Sequence, residues 1–318
     1  MAENKIKQWT RKEIENRLML GDCLDILPYI PNNSFDLLIF DWPYNLKKDF
    51  PNDNLTPRDF RDKLRKWVQL MYPKLNKNGS FYNFMGYDYY DYLKLLLSKY
   101  LIFKRDLIWH YIDGGDKLDV KNYIAEFDKV LYFVNSENYT FNKTRREPSK
   151  YSLERWKNHC DEHGIIKWEK LSKDQKRRWH SKTDYLKKGG FNLFKGKSQG
   201  NVFIIPRVNN LSKERIRNKT GKKIPTTQKP EALIKIFIET SSNKGDLIGD
   251  FFMGSGTTCA VAKKLGRKYF GCEIRPELFE MAKNRINSIN IFENITNYTN
   301  NSKDKNLTNY LGDINSRY

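Results

Sequence analysis

Cysteine is scarce in this sequence. Cys23, Cys160, Cys259 and Cys272 are the four among 318 residues. None forms a C-x-x-C pair, and two sit in apolar runs, so reduced cytosolic thiols are expected rather than a disulfide framework. Long apolar runs are missing too. None reaches the length of a membrane-spanning helix, so no membrane association is expected. The first twenty residues are polar and charged, so no secretory signal is expected and the location reads as cytoplasmic. Acid is in deficit, with 38 Asp and Glu against 58 Lys and Arg, a formal net charge of +20. A chain this basic points to a polyanionic partner, nucleic acid before membrane. An inert basic surface would have the same composition.

What is present suffices for a packed core. Hydrophobic residues make up 39% and aromatics 14%, enough for one large α/β domain or a domain with an insertion. Residues 18–142 alternate buried-looking strands with helical stretches. "FDLLIFD" (35–41), "GSFYNF" (79–84) and "FDKVLYFV" (127–134) read as strands. "RDFRDKLRKWVQLMYPKL" (58–75) and "YYDYLKLLLSKY" read as helices. Short apolar strands separated by helices argue for a mostly parallel sheet covered on both faces.

Residues 143–223 change character. They hold 24 Lys and Arg against 8 Asp and Glu, a net of +16. Trp156, Trp168, Trp179, Tyr151 and Tyr185 are interleaved with the charge. The pattern reads as an inserted module that meets a phosphate backbone; a solvated insert is the bland alternative. Residues 224–290 return to α/β. "TTQKPEALIKIFIETSS" reads as a helix with a threonine at its start, "GDLIGDFF" as a strand, and "GTTCAVAKKLG" as a helix closed by Gly266. "RKYFGCEI" and "RPELFEMAKNRINSI" follow as strand and helix, with Pro276 in the helix's first turn. Residues 291–318 are a polar, Asn-rich tail expected to fray.

Two stretches carry chemistry. In "DFFMGSGTTCAVAKKLG" a buried strand ends at Asp250, and a glycine turn leads into a helix near Thr257. Gly254 and Gly256 allow a ligand close to the backbone, beside the unpaired N–H groups of a helix start. A dinucleotide fingerprint would need glycine where Cys259 stands, and a phosphate loop would need a lysine after Gly256. The ligand is therefore read as neither a dinucleotide nor a nucleoside triphosphate. Glu273, ending the next strand, can accept from ribose hydroxyls. The second stretch is "FDLLIFDWPY". In a parallel sheet, ligands bind beyond the carboxyl ends of strands, and Asp41 is expected there. Pro43 stiffens the turn and Tyr44 offers a flat face. A carboxylate and a backbone carbonyl accepting both hydrogens of an aromatic amino group would free its lone pair. They would also stabilise the positive charge that builds during attack. Such an amino group is out of reach inside a duplex, so the base must be extruded. Alone, D-W-P-Y is equally a plain turn after a strand.

Together the two stretches resemble the amino-methylating DNA methyltransferases that use S-adenosylmethionine. "DWPY" is similar to their D-P-P-Y motif and "DFFMGSGTT" to their F-x-G-x-G motif. "GDCLDILPYIPNNSFDLLIFDWPYNL" (21–46), "TQKP" (227–230), "AEFDKVLYFVNSENYTFN" (125–142) and "GNVFIIPRV" are similar to further family segments. The catalytic motif precedes the basic block and the cofactor motif follows it, which resembles the β group. The resemblance implies an α/β, Rossmann-like methyltransferase sheet in permuted β-group order, with an inserted basic target recognition region. The catalytic half would be 18–142, the insert 143–223 and the cofactor half 224–290. Asp41 and the Trp42 carbonyl would hold the amino group, with Pro43 shaping the turn and Tyr44 stacking on the base. Asp250, Phe251, Gly254 and Gly256 would line the methionine side of S-adenosylmethionine. Glu273 would take the ribose and Asp22 would sit near the cofactor adenine. Thr227 and Lys229 would approach the methionine carboxylate, and Cys23, Phe252, Ser255 and Thr257 join the cofactor contacts.

The resemblance further implies site-specific N6-adenine methylation of double-stranded DNA. Asp41 favours this over the N4 of cytosine, because cytosine-acting relatives often carry S-P-P-Y. An N4-cytosine enzyme and a catalytically silent DNA-binding relative are the alternatives. A cognate restriction endonuclease and a homodimer are implied as partners, both left open by the residues. Trp42 departs from the family's first proline, Pro225 and Thr226 from its His-Pro, and Met253 from its usual residue. Chemistry is expected to survive, with a looser turn or a reshaped pocket at Trp42. "HCDEH" (159–163) lacks clean zinc spacing, so no metal is expected. "YIDGGDKL" (111–118) reads equally as a hairpin or as a loop closing on DNA.

Overall fold

The computed structural model describes residues 7–47, 52–111, 123, 125–146, 155–161, 165–177, 181–183, 197–209, 212–217 and 227–289. The chain divides into two units. One comprises 1–142 with 200–291, and the other comprises 143–199 with 292–318.

The first unit is built on strands β1 (Arg17–Leu20), β2 (Phe35–Asp41), β3 (Leu75–Phe84), β4 (Ile102–His110) and β5 (Phe127–Val134). Among the described residues, the second unit contributes the short antiparallel pair β6 (Arg145–Arg146) and β7 (Lys197–Ser198). The first unit resumes with β8 (Val202–Ile204), β9 (Leu247–Asp250) and β10 (Lys268–Glu273). Its eight strands run in the order β1-β10-β9-β2-β3-β5-β4-β8. The five strands from β1 to β3 are mutually parallel. β5 is antiparallel to both β3 and β4, and β8 is parallel to β4. The expected mostly parallel sheet is thus mixed on one side. β1 and β4 carry partly exposed residues, so neither shows the continuous apolar run of a buried strand.

β8 lies within the stretch 143–223 expected as the insert, yet it pairs with Ile108–His110 in the main sheet. Phe203 is buried there and stacks edge-on against Phe237 at 5.5 Å, which ties the chain back to the core before the basic run ends.

Alternation on β2 explains the covering layers. From Leu37 to Phe40 the side chains alternate, Leu38 and Phe40 packing into one buried cluster and Leu37 and Ile39 into another, while Phe35 joins the first cluster across a register shift between Phe35 and Leu37. Helix α1 (Pro57–Met71) covers the first face with Phe60, Leu64, Trp67, Val68 and Met71. That is a helical repeat, opened by Thr56 accepting from the Asp59 amide and by Pro57 in the first turn. α2 (Tyr87–Leu97) packs beside it. The second face is covered by α3 (Glu231–Ser241), α4 (Thr257–Lys264) and α5 (Pro276–Asn287). α3 begins after Pro230 rather than at the threonines, because a residue before proline is pushed out of the helical region. Residues 227–230 therefore run as an extended loop.

In the second unit, Ser172 caps a short helix, Lys173–Lys176, with a reciprocal Gln175 contact. Ile166 and Leu171 are buried, and Lys176 and Arg155 lie over the Trp168 and Trp156 rings. His163, His180 and residues 112–118 lie outside the described residues, as do Pro225, Thr226 and the tail from 290.

Candidate active site

Parallel strands share one carboxyl edge. Here that edge presents Leu20, Glu273, Asp250, Asp41 and Phe84 from adjacent strands. A cavity of about 180 Å³ opens along it. Every expected site residue except Gly256 lines this cavity: Asp22, Cys23, Asp41, Trp42, Pro43, Tyr44, Thr227, Lys229, Asp250, Phe251, Phe252, Gly254, Ser255, Thr257 and Glu273. The acidic-aromatic turn and the glycine turn therefore face one space.

The glycine turn is held by its neighbours. The Gly254 amide donates to Glu273 Oε2 at 2.8 Å, and the Arg275 amide to Glu273 Oε1 at 2.9 Å. Burial raises the Glu273 pKa against these bonds. Gly256 stands just behind the cavity with φ +72°, and an added Cβ would lie 2.8 Å from Ala282 Cβ. It is thus a packing residue that lets α4 start tight against α5. Asp250 is 5% exposed and accepts from the Phe252 amide at 3.1 Å. Burial pushes its pKa up to about 7, with the Asp41 and Glu273 charges adding to the rise. Asp22 caps the short helix Cys23–Ile26 through the Leu24 amide. Cys23 and Cys272 are buried thiols, and burial raises both pKa values.

Asp41 is crowded with donors. The Tyr44 hydroxyl donates to Oδ1 at 2.9 Å. Lys229 Nζ lies 2.5 Å from Oδ2 and the Thr227 hydroxyl 3.3 Å from it. The extended 227–230 loop thus carries its cation onto the catalytic-motif carboxylate, across a sequence separation of 188 residues. Lys229 is 8% exposed, and its Nζ lies 5.0 Å from the Phe84 ring and 5.7 Å from the Tyr44 ring. Burial holds the Tyr44 phenol protonated, with the Asp41 charge acting in the same sense.

The turn at Trp42 is anchored rather than loosened. Its amide donates to the Phe84 carbonyl at 3.3 Å, a bond proline could not make. Its indole donates to Asn83 Oδ1 at 3.0 Å. The ring packs against Phe40, Trp67, Phe81 and Phe252.

Several residues that shape the site escaped sequence reasoning. Asp53 comes from a polar loop, and its Oδ1 accepts from the Tyr44 amide at 3.1 Å. Trp67 sits at core spacing on α1 and was legible only as core. Gly86 lies against the Tyr44 ring, which an added Cβ would meet at 3.2 Å. Nothing local in the sequence marks Asp53 or Gly86.

A sheet edge that brings an acidic turn and a glycine turn to one cavity is a binding site beyond the carboxyl ends of parallel strands. The comparisons with known proteins give the kind. The DNA methylase family model matches residues 35–284. The type II methyltransferase M1.MboII of Moraxella bovis is 31% identical over 277 residues, 87% of this chain and 98% of that protein. The DNA adenine methyltransferase YhdJ of Escherichia coli K12 is 32% identical over 271 residues, 84% of this chain and 81% of that one. The fold is similar to the crystal structure of the M1.HpyAVI–SAM complex, with TM-score 0.54 and 20% identity over 85% of this chain and 98% of that one. The chain belongs to the DNA methylase family.

Proposed function

We propose that this chain transfers a methyl group from S-adenosylmethionine to the N6 amino group of adenine, within a short double-stranded DNA sequence. The observation that carries the reading is the single cavity shared by Asp41 and the Gly254–Glu273 turn. When bound, the cofactor supplies an electrophilic methyl on a sulfonium. The residues fit such a cation: the cavity is lined by Asp22, Asp41, Asp53, Asp250 and Glu273, against Lys229 and Arg275. No lysine follows the glycine turn, so the charge balance suits a sulfonium nucleoside better than a phosphate.

Asp22, Asp250, Gly254 and Glu273 hold the cofactor, with Cys23, Phe251, Phe252, Ser255 and Thr257 shaping its walls. The Asp41 carboxylate and the Trp42 carbonyl accept the hydrogens of an extruded base's amino group, and Tyr44 supports the ring. The lone pair then points away from the ring, and the acceptors offset the charge that develops on nitrogen. A second cation at that point opposes them. Two unit positive charges about 4 Å apart repel by about 4 kcal/mol at an effective dielectric of 20.

Adenine is favoured by Asp41 at the head of the motif and by the adenine activity named for one relative. A cognate restriction endonuclease as a partner follows from the type II name of another. A soluble, cytoplasmic protein suits both, and among the described residues no helix is long and apolar enough to cross a membrane. The test is labelled S-adenosylmethionine with mixed-sequence DNA, followed by digestion to nucleosides. N6-methyl-2′-deoxyadenosine is expected among the products; N4-methyl-2′-deoxycytidine as the sole modified nucleoside would overturn the choice of base.

A further inference from the structure

The loop that leads into α3 divides its side chains between two partners. Thr227 and Lys229 both reach Asp41 Oδ2. Gln228, between them, grips another stretch of chain. Its Nε2 donates to the Glu214 carbonyl at 2.7 Å, and its Oε1 accepts from the Ile216 amide at 3.1 Å. An extended chain sends alternate side chains to opposite sides, which accounts for the division. Gln228 is 5% exposed, so water competes poorly for either bond. A third bond ties the same stretch down: Glu214 Oε2 accepts from the Glu231 amide at 2.9 Å. Pro230 stands at the N-cap of α3 and gives it no side-chain cap, so the distant Glu214 carboxylate takes that place. Residues 212–217 lie near the end of the basic stretch and carry Lys213, Arg215 and Arg217. They are thus fastened to the loop that meets the catalytic-motif carboxylate.

We propose that Gln228 is a positioning residue for methyl transfer. It fixes the loop so that Thr227 and Lys229 stay on Asp41, and it makes that hold depend on how the end of the basic stretch sits. The inference rests on the reading of Asp41 as acceptor of the target amino group. Thr227 and Lys229 meet the same carboxylate oxygen, so the loop sets the direction in which the carboxylate lies. Transfer tolerates little misplacement of such a group. Gln228 itself forms and breaks no covalent bond.

Single-turnover methyl transfer by the full chain, with saturating DNA and S-adenosylmethionine, tests this. Gln228→Met keeps the side-chain length and removes both bonds. Its rate per cofactor-binding site should fall by about tenfold or more, with the Kd for S-adenosylmethionine changed by less than about threefold. Counting binding sites by calorimetry separates this effect from a loss of folded protein, and Gln228→Leu should behave alike. In a Thr227→Val, Lys229→Met background, which has lost both contacts with Asp41, Gln228→Met should add less than about a twofold loss. A rate per site within about twofold of the parent, or losses that multiply in the triple variant, would overturn the proposal. Asp41→Asn is the control for the underlying reading. If it keeps the parental rate, the acceptor assignment fails whatever Gln228 does.

Discussion

The Trp42 indole donates to Asn83 Oδ1 at 3.0 Å across the parallel pair β2 and β3. Both side chains are buried, so this bond secures the turn that follows Asp41. Asn83→Ala leaves the indole N–H unpaired and should cost about 1–3 kcal/mol of stability. Urea unfolding measures it, and a change of a few tenths would show that packing alone holds the turn.

Asp41→Asn keeps the shape of the site but removes the charge that faces Lys229 and the docked amino group. Turnover should fall by about two to three orders of magnitude. Cofactor affinity, measured by calorimetry, should change little. Weakened cofactor binding, with turnover restored at high S-adenosylmethionine, would mean that the two halves of the cavity have been assigned the wrong way round.

Gly256→Ala meets both a left-handed backbone and the Ala282 side chain. The expected cost is about 1–3 kcal/mol, read as a lower Tm. Cofactor affinity should fall as well, because the Gly254 amide that meets Glu273 belongs to the same turn.

Asp250 sets a pH dependence. Its folded pKa of about 7 lies above that of the unfolded chain. Between the unfolded and the folded value, the folded state retains a proton that the unfolded state has lost. Stability therefore falls as pH rises through this window, by up to about 4 kcal/mol from this group. Asp250→Asn should flatten the slope between about pH 4 and pH 7 in urea titrations. An unchanged slope would assign it to other carboxyls, Glu273 first.

The basic stretch 143–223 should make DNA affinity strongly salt-dependent. If it contacts six or more phosphates, affinity should fall by about a thousandfold between 50 and 200 mM salt. A nearly flat dependence would show that the charge is not used on the backbone.

Much of the site was legible because it is local. D-W-P-Y, the glycine turn and the strand-end Glu273 each read as short strings, and the cavity includes residues from all three. The rest was not, for identifiable reasons. Trp42 looked like a weakened proline because its partner, Asn83, lies 41 residues away. The contact of Lys229 with Asp41 spans 188 residues of sequence, beyond any local window. The helix was expected to begin at the threonines, and Pro230 delays it. β4 was missed because its exposed residues break the apolar pattern.

The amino-acid string by itself determined which turns follow which strands, where glycine frees the backbone, and where the positive charge is concentrated. Those are properties of neighbours in the chain, set by backbone sterics and side-chain period. Tertiary structure alone decided that β9 lies against β2, so that Asp250 and Asp41 share an edge. It also decided that the buried Lys229 meets the Asp41 carboxylate. Strand order depends on crossovers that pack whole helices on both faces, and no short window of sequence encodes that choice.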